Sequence, residues 1–200
     1  MLGIDLSRTT DLTAVMWLVQ KNNIIHIFGK FFMPSEKLEE ATARDNLPYN
    51  IYVQRGFLQL SGANVINYQD CYDYITNIIN HYHLYPLRVM YDRYSAQYLV
   101  KDLEAAGFQT DDVYQGDNLW PDLQEMDGLI KDKRLYIGDN DLLKSHLLNA
   151  AIKMSIERGR GRLVKINQRA RIDGVAALAD AMTVRQKWYS EIGYQLQNEG

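Results

Sequence analysis

Three aspartates stand where a carboxylate is better placed for chemistry than for packing. Asp5 closes the apolar run LGID, Asp92 closes the run LRVMYD, and Asp173 opens a helix-like stretch directly after a basic one. A strand end followed by a polar turn points its side chain out of a sheet rim, although Asp is also a common turn residue. If the strands ending in Asp5 and Asp92 are neighbours, the two acids lie side by side. Three carboxylates within hydrogen-bonding range repel one another, so such a cluster calls for divalent cations or for protons held by raised pKa values. Hard oxygen ligands suit magnesium or manganese. Two such ions, roughly 3.5 to 4 Å apart, would activate a water and stabilise the leaving oxygen of a phosphodiester.

Two further acids could join them. Asp11 follows Asp5 by six residues, and the turn carrying Ser7 to Thr10 can fold it back as an accessory metal ligand or outer contact; a surface turn explains it equally well. Asp180 lies seven residues after Asp173, two helical turns on and therefore on the same face, but roughly 10 Å away along the axis. A solvated or salt-bridged role is the expectation for it.

A polyanionic substrate is suggested by the residues before Asp173. Arg158, Arg160, Arg162, Lys165, Arg169 and Arg171 fall within fourteen residues with no intervening acid, and Gly159 and Gly161 let the backbone bend. Such a run is often a solvated face. Next to a carboxylate cluster it reads as a set of phosphate contacts, which position a duplex without reading its sequence.

The elements that must position these groups follow from periodicity. LGIDL, TAVMWLVQ and IIHIFGKFFM read as strands, the last two joined by a tight turn at Lys21–Asn23, giving an antiparallel meander. PSEKLEEATARD reads as an acidic helix, and the mixed region from Leu47 to Tyr68 as cover for one side of the sheet. Tyr72, Ile75, Ile78, Ile79 and Tyr82 recur at helical spacing across 68–82. The strand LRVMYD is followed by a helix, SAQYLVKDLEAAGF, opening near Ser95. Then come a strand DDVYQ, a helix around WPDLQEMDGLIKD, a short strand RLYIG and a helix around NDLLKSHLLNAAIK. A basic hairpin over 157–171 precedes the closing helix DGVAALADAMTVRQKW. A meander followed by strand–helix alternation is an α/β pattern with a mixed sheet.

Composition removes several classes. The chain has 200 residues, 46% of them hydrophobic, and a net charge of −3, enough for one domain with a real core and no global sign of a polyanion partner. Cys71 is the only cysteine, which excludes an internal disulfide and a cysteine-based zinc cage. The four histidines show no metal-ligand spacing. No apolar run is long enough to cross a bilayer and no signal-peptide layout is present, so a soluble, cytosolic protein is expected. Nothing matches a nucleotide-hydrolysing phosphate loop.

Four segments in order resemble the nuclease domain of the large terminase subunit of tailed bacteriophages: GIDLSRTTDLTA, LPYNIYVQRGFLQLSGANVINY, VMYDRYSAQYLVKDLEAAGF, and HLLNAAIKMS with RIDGVAALADAM. The resemblance covers nearly the whole chain. It implies a ribonuclease H-like fold, with a central mixed sheet, antiparallel first three strands and helices on both faces. It also implies metal-dependent cleavage of double-stranded viral DNA during genome packaging, using two Mg2+ or Mn2+ ions. Carried over, the metal-binding triad falls on Asp5, Asp92 and Asp173, with Asp11 matching an extra acid of some relatives. Where the family's closing motif often has two adjacent acids, Ile172 takes the first place here. The family's N-terminal packaging ATPase domain is not seen in this chain, which on that reading is a single nuclease domain over 1–200. Further implied partners are that ATPase domain, the small terminase subunit and the portal, in the cytoplasm of an infected bacterium. Two other readings compete. GIDLSRTT also resembles the first phosphate loop of actin-like ATPases and sugar kinases, which need a second glycine-rich loop that the chain lacks. A noncatalytic DNA-binding or portal-docking module is the other.

Overall fold

The computed structural model describes residues 1–7, 12–92 and 97–189. Strands β1 (Leu2–Asp5), β2 (Thr13–Lys21) and β3 (Ile24–Met33) form the expected antiparallel meander. Between β2 and β3, Asn22 and Asn23 have φ of 49° and 65°. Asn tolerates this left-handed geometry, and a two-residue turn of that kind matches the natural twist of a hairpin. Parallel to β1 runs β5 (Val89–Asp92), with Leu2 opposite Val89 and Ile4 opposite Tyr91; β6 (Thr110–Val113) continues the sheet beyond it. Such parallel neighbours need crossovers, supplied by α3 (Tyr68–Tyr82) before β5 and α4 (Gln97–Ala105) after it. On the other edge β3 is paired in parallel by both β4 (Leu58–Leu60) and β7 (Leu135–Tyr136). The result is a seven-stranded mixed sheet in the order β4-β3-β2-β1-β5-β6 with β7 beside β3.

Alternation along the strands divides the core in two. Leu2, Ile4, Val15, Trp17 and Phe32 face α3 and α4, meeting Cys71, Ile75, Ile79, Leu99 and Leu103. Ala14, Met16, Leu18, Phe31 and Met90 face the other way, onto α7 (Asp173–Val184), with α5 (Trp120–Lys131) and α6 (Asp141–Leu148) packed beside it. Two short helices, α1 (Leu38–Asp45) and α2 (Tyr49–Gln54), fill the region between β3 and β4. All residues of α7 are buried. A Cβ on Gly3 would fall 1.9 Å from the carbonyl oxygen of Ala177 and 2.6 Å from the nitrogen of Ala181, so the helix lies directly on the β1 backbone.

One expected element is placed differently. The helix read through NDLLKSHLLNAAIK stops at Leu148, and Ala150–Ser155 is a strand, β8, paired antiparallel with β9 (Arg160–Lys165). Alanine and lysine favour a helix locally, but Ala151 and Ile152 find partners in Val164 and Leu163, and cross-strand pairing overrides the propensity. The hairpin is therefore 150–165, not 157–171. The basic run supplies its second strand and the link to α7. Asp11 and Ser95 lie outside the described residues. Among those described, no helix is long and apolar enough to cross a membrane.

Candidate active site

Gly3 faces α7 and, by strand alternation, so does Asp5 two residues on. Met90 packs in the same layer, so Asp92, two residues on, shares that face. Asp5 and Asp92 therefore end adjacent parallel strands one rung beyond the Ile4–Tyr91 pair. Asp173 begins the helix that crosses this face and is 5% exposed, while Asp180, within the same helix, is fully buried. Two carboxylates inside an otherwise apolar helix are costly unless something compensates them.

Their surroundings show the strain. Asp5 has its pKa raised well above the ordinary carboxylate value, first by burial and then by repulsion from Asp173, Asp180 and Asp92, with Lys165 opposing. Burial lifts Asp173 to about 6 against the pull of Lys165. Asp180 is also raised, by burial first, while a hydrogen bond from Gln115 opposes the rise; Gln115 Nε2 donates to Asp180 Oδ2 at 2.9 Å. Asp180 Oδ1 and Asp173 Oδ2 have no protein hydrogen-bond partner among the described residues.

The helix end that presents Asp173 is held from outside. Ile172 sits at the cap position and offers no side-chain acceptor. Instead, Nδ1 of His146 on α6 accepts the Gly174 N–H at 3.0 Å, with the imidazole tilted against Phe31 at 4.7 Å between ring centres. This satisfies one of the donors a helix N-terminus leaves open. Burial, with Lys165 adding, pushes the His146 pKa down to about 3, so the ring is neutral.

Whether these acids suit a metal is decided by their chemistry. The donors are all carboxylate oxygens, two of them buried and lacking a protein hydrogen-bond partner, which fits a hard cation such as Mg2+ or Mn2+. Among the described residues no three His, Cys, Asp or Glu side chains converge on a single point.

Asp180, expected to be solvated or salt-bridged, is instead inside the cluster. Its two-turn separation from Asp173 runs along α7, but β1 lies under that same length of helix, so both acids act on Asp5. The sequence pattern marks neither His146 nor Gln115 as a site residue. A histidine within the apolar sequence DLLKSHLL was the available signal for the first; for Gln115 there was none.

The basic residues separate into two groups. Arg158, Arg160, Arg162, Lys165 and Arg169 are exposed, and Lys165 is close enough to act on Asp5, Asp173 and His146. Arg158 reaches Asp117 at 2.8 Å from a side chain that is still 72% exposed. Arg171 does not belong to this surface. It is buried, and its Nε donates to Asp45 Oδ2 at 2.9 Å, a carboxylate that also accepts from Arg44 and from the Tyr49 hydroxyl. Its placement in the interior follows from Asp45, the last residue of α1, which meets it just before α7 begins.

A mixed sheet layered between helices, with acids at the ends of its central strands and on the helix covering them, is the ribonuclease H-like architecture. The chain belongs to the terminase large subunit endonuclease domain family, whose model matches residues 1–188. It is 27% identical over 180 residues to the terminase large subunit of Enterobacteria phage HK97, covering 88% of this chain and 35% of that protein. The crystal structure of the HK97 large terminase gives a TM-score of 0.80 at 26% identity, over 90% of this chain and 38% of the other. The chain thus spans little more than a third of that subunit's length. In fold it also resembles the large terminase nuclease from thermophilic phage G20c with bound magnesium, with a TM-score of 0.56 at 13% identity, over 91% of this chain and 79% of that one.

Proposed function

We propose that this chain is a divalent-metal-dependent endonuclease that cuts double-stranded DNA during phage genome packaging. The observation that carries the reading is the placement of Asp5, Asp92 and Asp173 on one face of the sheet, with Lys165 close to Asp5 and Asp173. That a large terminase nuclease of similar fold, from phage G20c, binds magnesium supports a divalent metal as the cofactor. Asp5, Asp92 and Asp173 would hold two Mg2+ or Mn2+ ions, with Asp180 adding charge from behind. When bound, the ions supply an activated water and neutralise the leaving oxygen. The chain's own part is to hold the carboxylates in place through the β1–β5 pairing and the His146 cap. Lys165, Arg160, Arg162 and Arg169 bind the phosphates flanking the scissile one. Such contacts carry no base information, so site choice belongs to partners: the packaging ATPase domain of the same subunit, the small terminase subunit and the portal, in the infected cell's cytoplasm.

The test is nicking of supercoiled plasmid with Mg2+, Mn2+ or EDTA, repeated with Asp5→Asn, Asp92→Asn and Asp173→Asn. Cleavage with metal and its severe loss in each variant are expected. Equal activity in EDTA would defeat the metal mechanism. ATP binding by calorimetry would favour the kinase-like reading, and DNA binding without any cleavage the noncatalytic one.

A further inference from the structure

Beyond Asp180, α7 runs one turn further to Thr183, which lines a groove of about 750 Å³. Two aromatic rings, Tyr114 and Trp120, and two cations, Arg160 and Lys187, line it as well. Each ring is seated on a glycine. A Cβ on Gly116 would fall 2.4 Å from the Tyr114 ring, and one on Gly161 would fall 2.7 Å from that of Trp120. Asp122 also lines the groove and is 5% exposed. Its Oδ2 accepts from the Thr183 hydroxyl at 3.1 Å, while its Oδ1 has no protein hydrogen-bond partner among the described residues. The groove and the acid cluster share a segment, since Tyr114 lines one and Gln115 donates to Asp180 in the other. None of these groove residues other than Arg160 has a part in the cleavage described above.

The groove is far too small for a duplex and ample for one nucleotide. Flat rings beside cations are the combination that binds unpaired strands, because every base has a face to stack and every nucleotide a phosphate. We propose that this groove holds one unpaired nucleotide of a DNA strand next to the cleavage site. Its base stacks on Tyr114 and Trp120, and Arg160 and Lys187 hold its phosphate. The inference rests on the nuclease reading for its choice of DNA and deepens it, assigning the strand beside the cut a local departure from pairing.

The test is fluorescence anisotropy in EDTA with a labelled oligothymidylate of about ten nucleotides, compared with a blunt duplex. Tyr114 and Lys187 are exposed, so Tyr114→Ala and Lys187→Ala should fold, which thermal melting checks. Each is expected to weaken single-strand binding roughly tenfold, to leave duplex binding within about twofold, and Tyr114→Phe should restore the loss. The proposal is overturned if the wild-type chain does not bind the oligothymidylate, if the alanine variants bind it as wild type does, or if both DNAs are lost equally. Plasmid nicking by the wild type, measured alongside, tests the nuclease reading separately: its absence would sink that reading and leave a strand-binding result standing.

Discussion

His146 and Asp173 approach to 3.9 Å without forming an ion pair. The lone pair of His146 Nδ1 is already engaged by the Gly174 N–H, and protonation there would break the cap on α7. With a folded pKa of about 3 against an ordinary 6.5, the unfolded chain binds the extra proton between those values. This residue's contribution to stability is therefore complete above pH 6.5 and is lost as pH falls toward 3, at about 1.4 kcal/mol per pH unit. His146→Gln, which keeps an acceptor, is expected to remove that slope when denaturant melts at pH 7 and pH 5 are compared with wild type. His146→Ala strands a buried N–H and should cost about 1–3 kcal/mol at pH 7.

The buried acids act with the opposite sign. Burial raises Asp122 to about 6 from 3.8, so the folded chain holds a proton that the unfolded chain releases. Its stabilising contribution is complete below pH 3.8 and is lost as pH rises through 6. Asp122→Asn, measured at pH 7 by thermal melting, is expected to stabilise the chain by about 2–3 kcal/mol, an advantage that shrinks toward pH 4. Asp180→Asn should likewise raise the melting temperature at neutral pH. Because Asp180 repels Asp5, the same change should weaken divalent-metal binding measured by calorimetry.

On the proposed reading, cations that occupy the cluster would bind the folded chain alone. Mn2+ or Mg2+ at about a hundred times its dissociation constant should add about 2.7 kcal/mol, a rise of several degrees in melting temperature. The rise should fall away in Asp5→Asn and Asp173→Asn, whose own melting points without metal should not be lower than wild type. An equal rise in all three proteins would show that the ions bind elsewhere.

Arg171 and Arg162 are expected to behave as different kinds of residue. Removing the Arg171 guanidinium leaves the Asp45 carboxylate, its side chain 1% exposed, with Arg44 and the Tyr49 hydroxyl as remaining partners, and Arg171→Ala should cost about 1–3 kcal/mol of stability. Arg162→Ala should leave stability within about 0.5 kcal/mol and instead lower the magnitude of the salt dependence of duplex binding by about one ion. Melting curves and a salt titration of duplex affinity check the two together.

Local pattern was legible wherever one element carried its own signal. The alternation of β2 and β3 and the two asparagines between them define the meander, and the Tyr72–Tyr82 spacing defines α3. Asp5 and Asp92 stood out because each ends an apolar run. What failed needed a partner distant in sequence. Ala150–Ser155 becomes a strand only because β9 folds back on it, and Arg171 is withdrawn from the basic surface only because Asp45, 126 residues earlier, waits inside. Asp180 is remote from Asp173 by helical rise alone; only the strand beneath α7, which carries Asp5, brings both acids to one site.

The contact between β1 and α7 ties the spacing of the acids to a residue with no side chain. Were position 3 to carry even a methyl group, the helix would have to lift, taking Asp173 and Asp180 away from Asp5 while leaving every reactive atom chemically intact. The gauge of the gap between the acids is thus set by a missing carbon. Gly3→Ala is expected to widen it and, with it, to abolish the metal-dependent nicking proposed above.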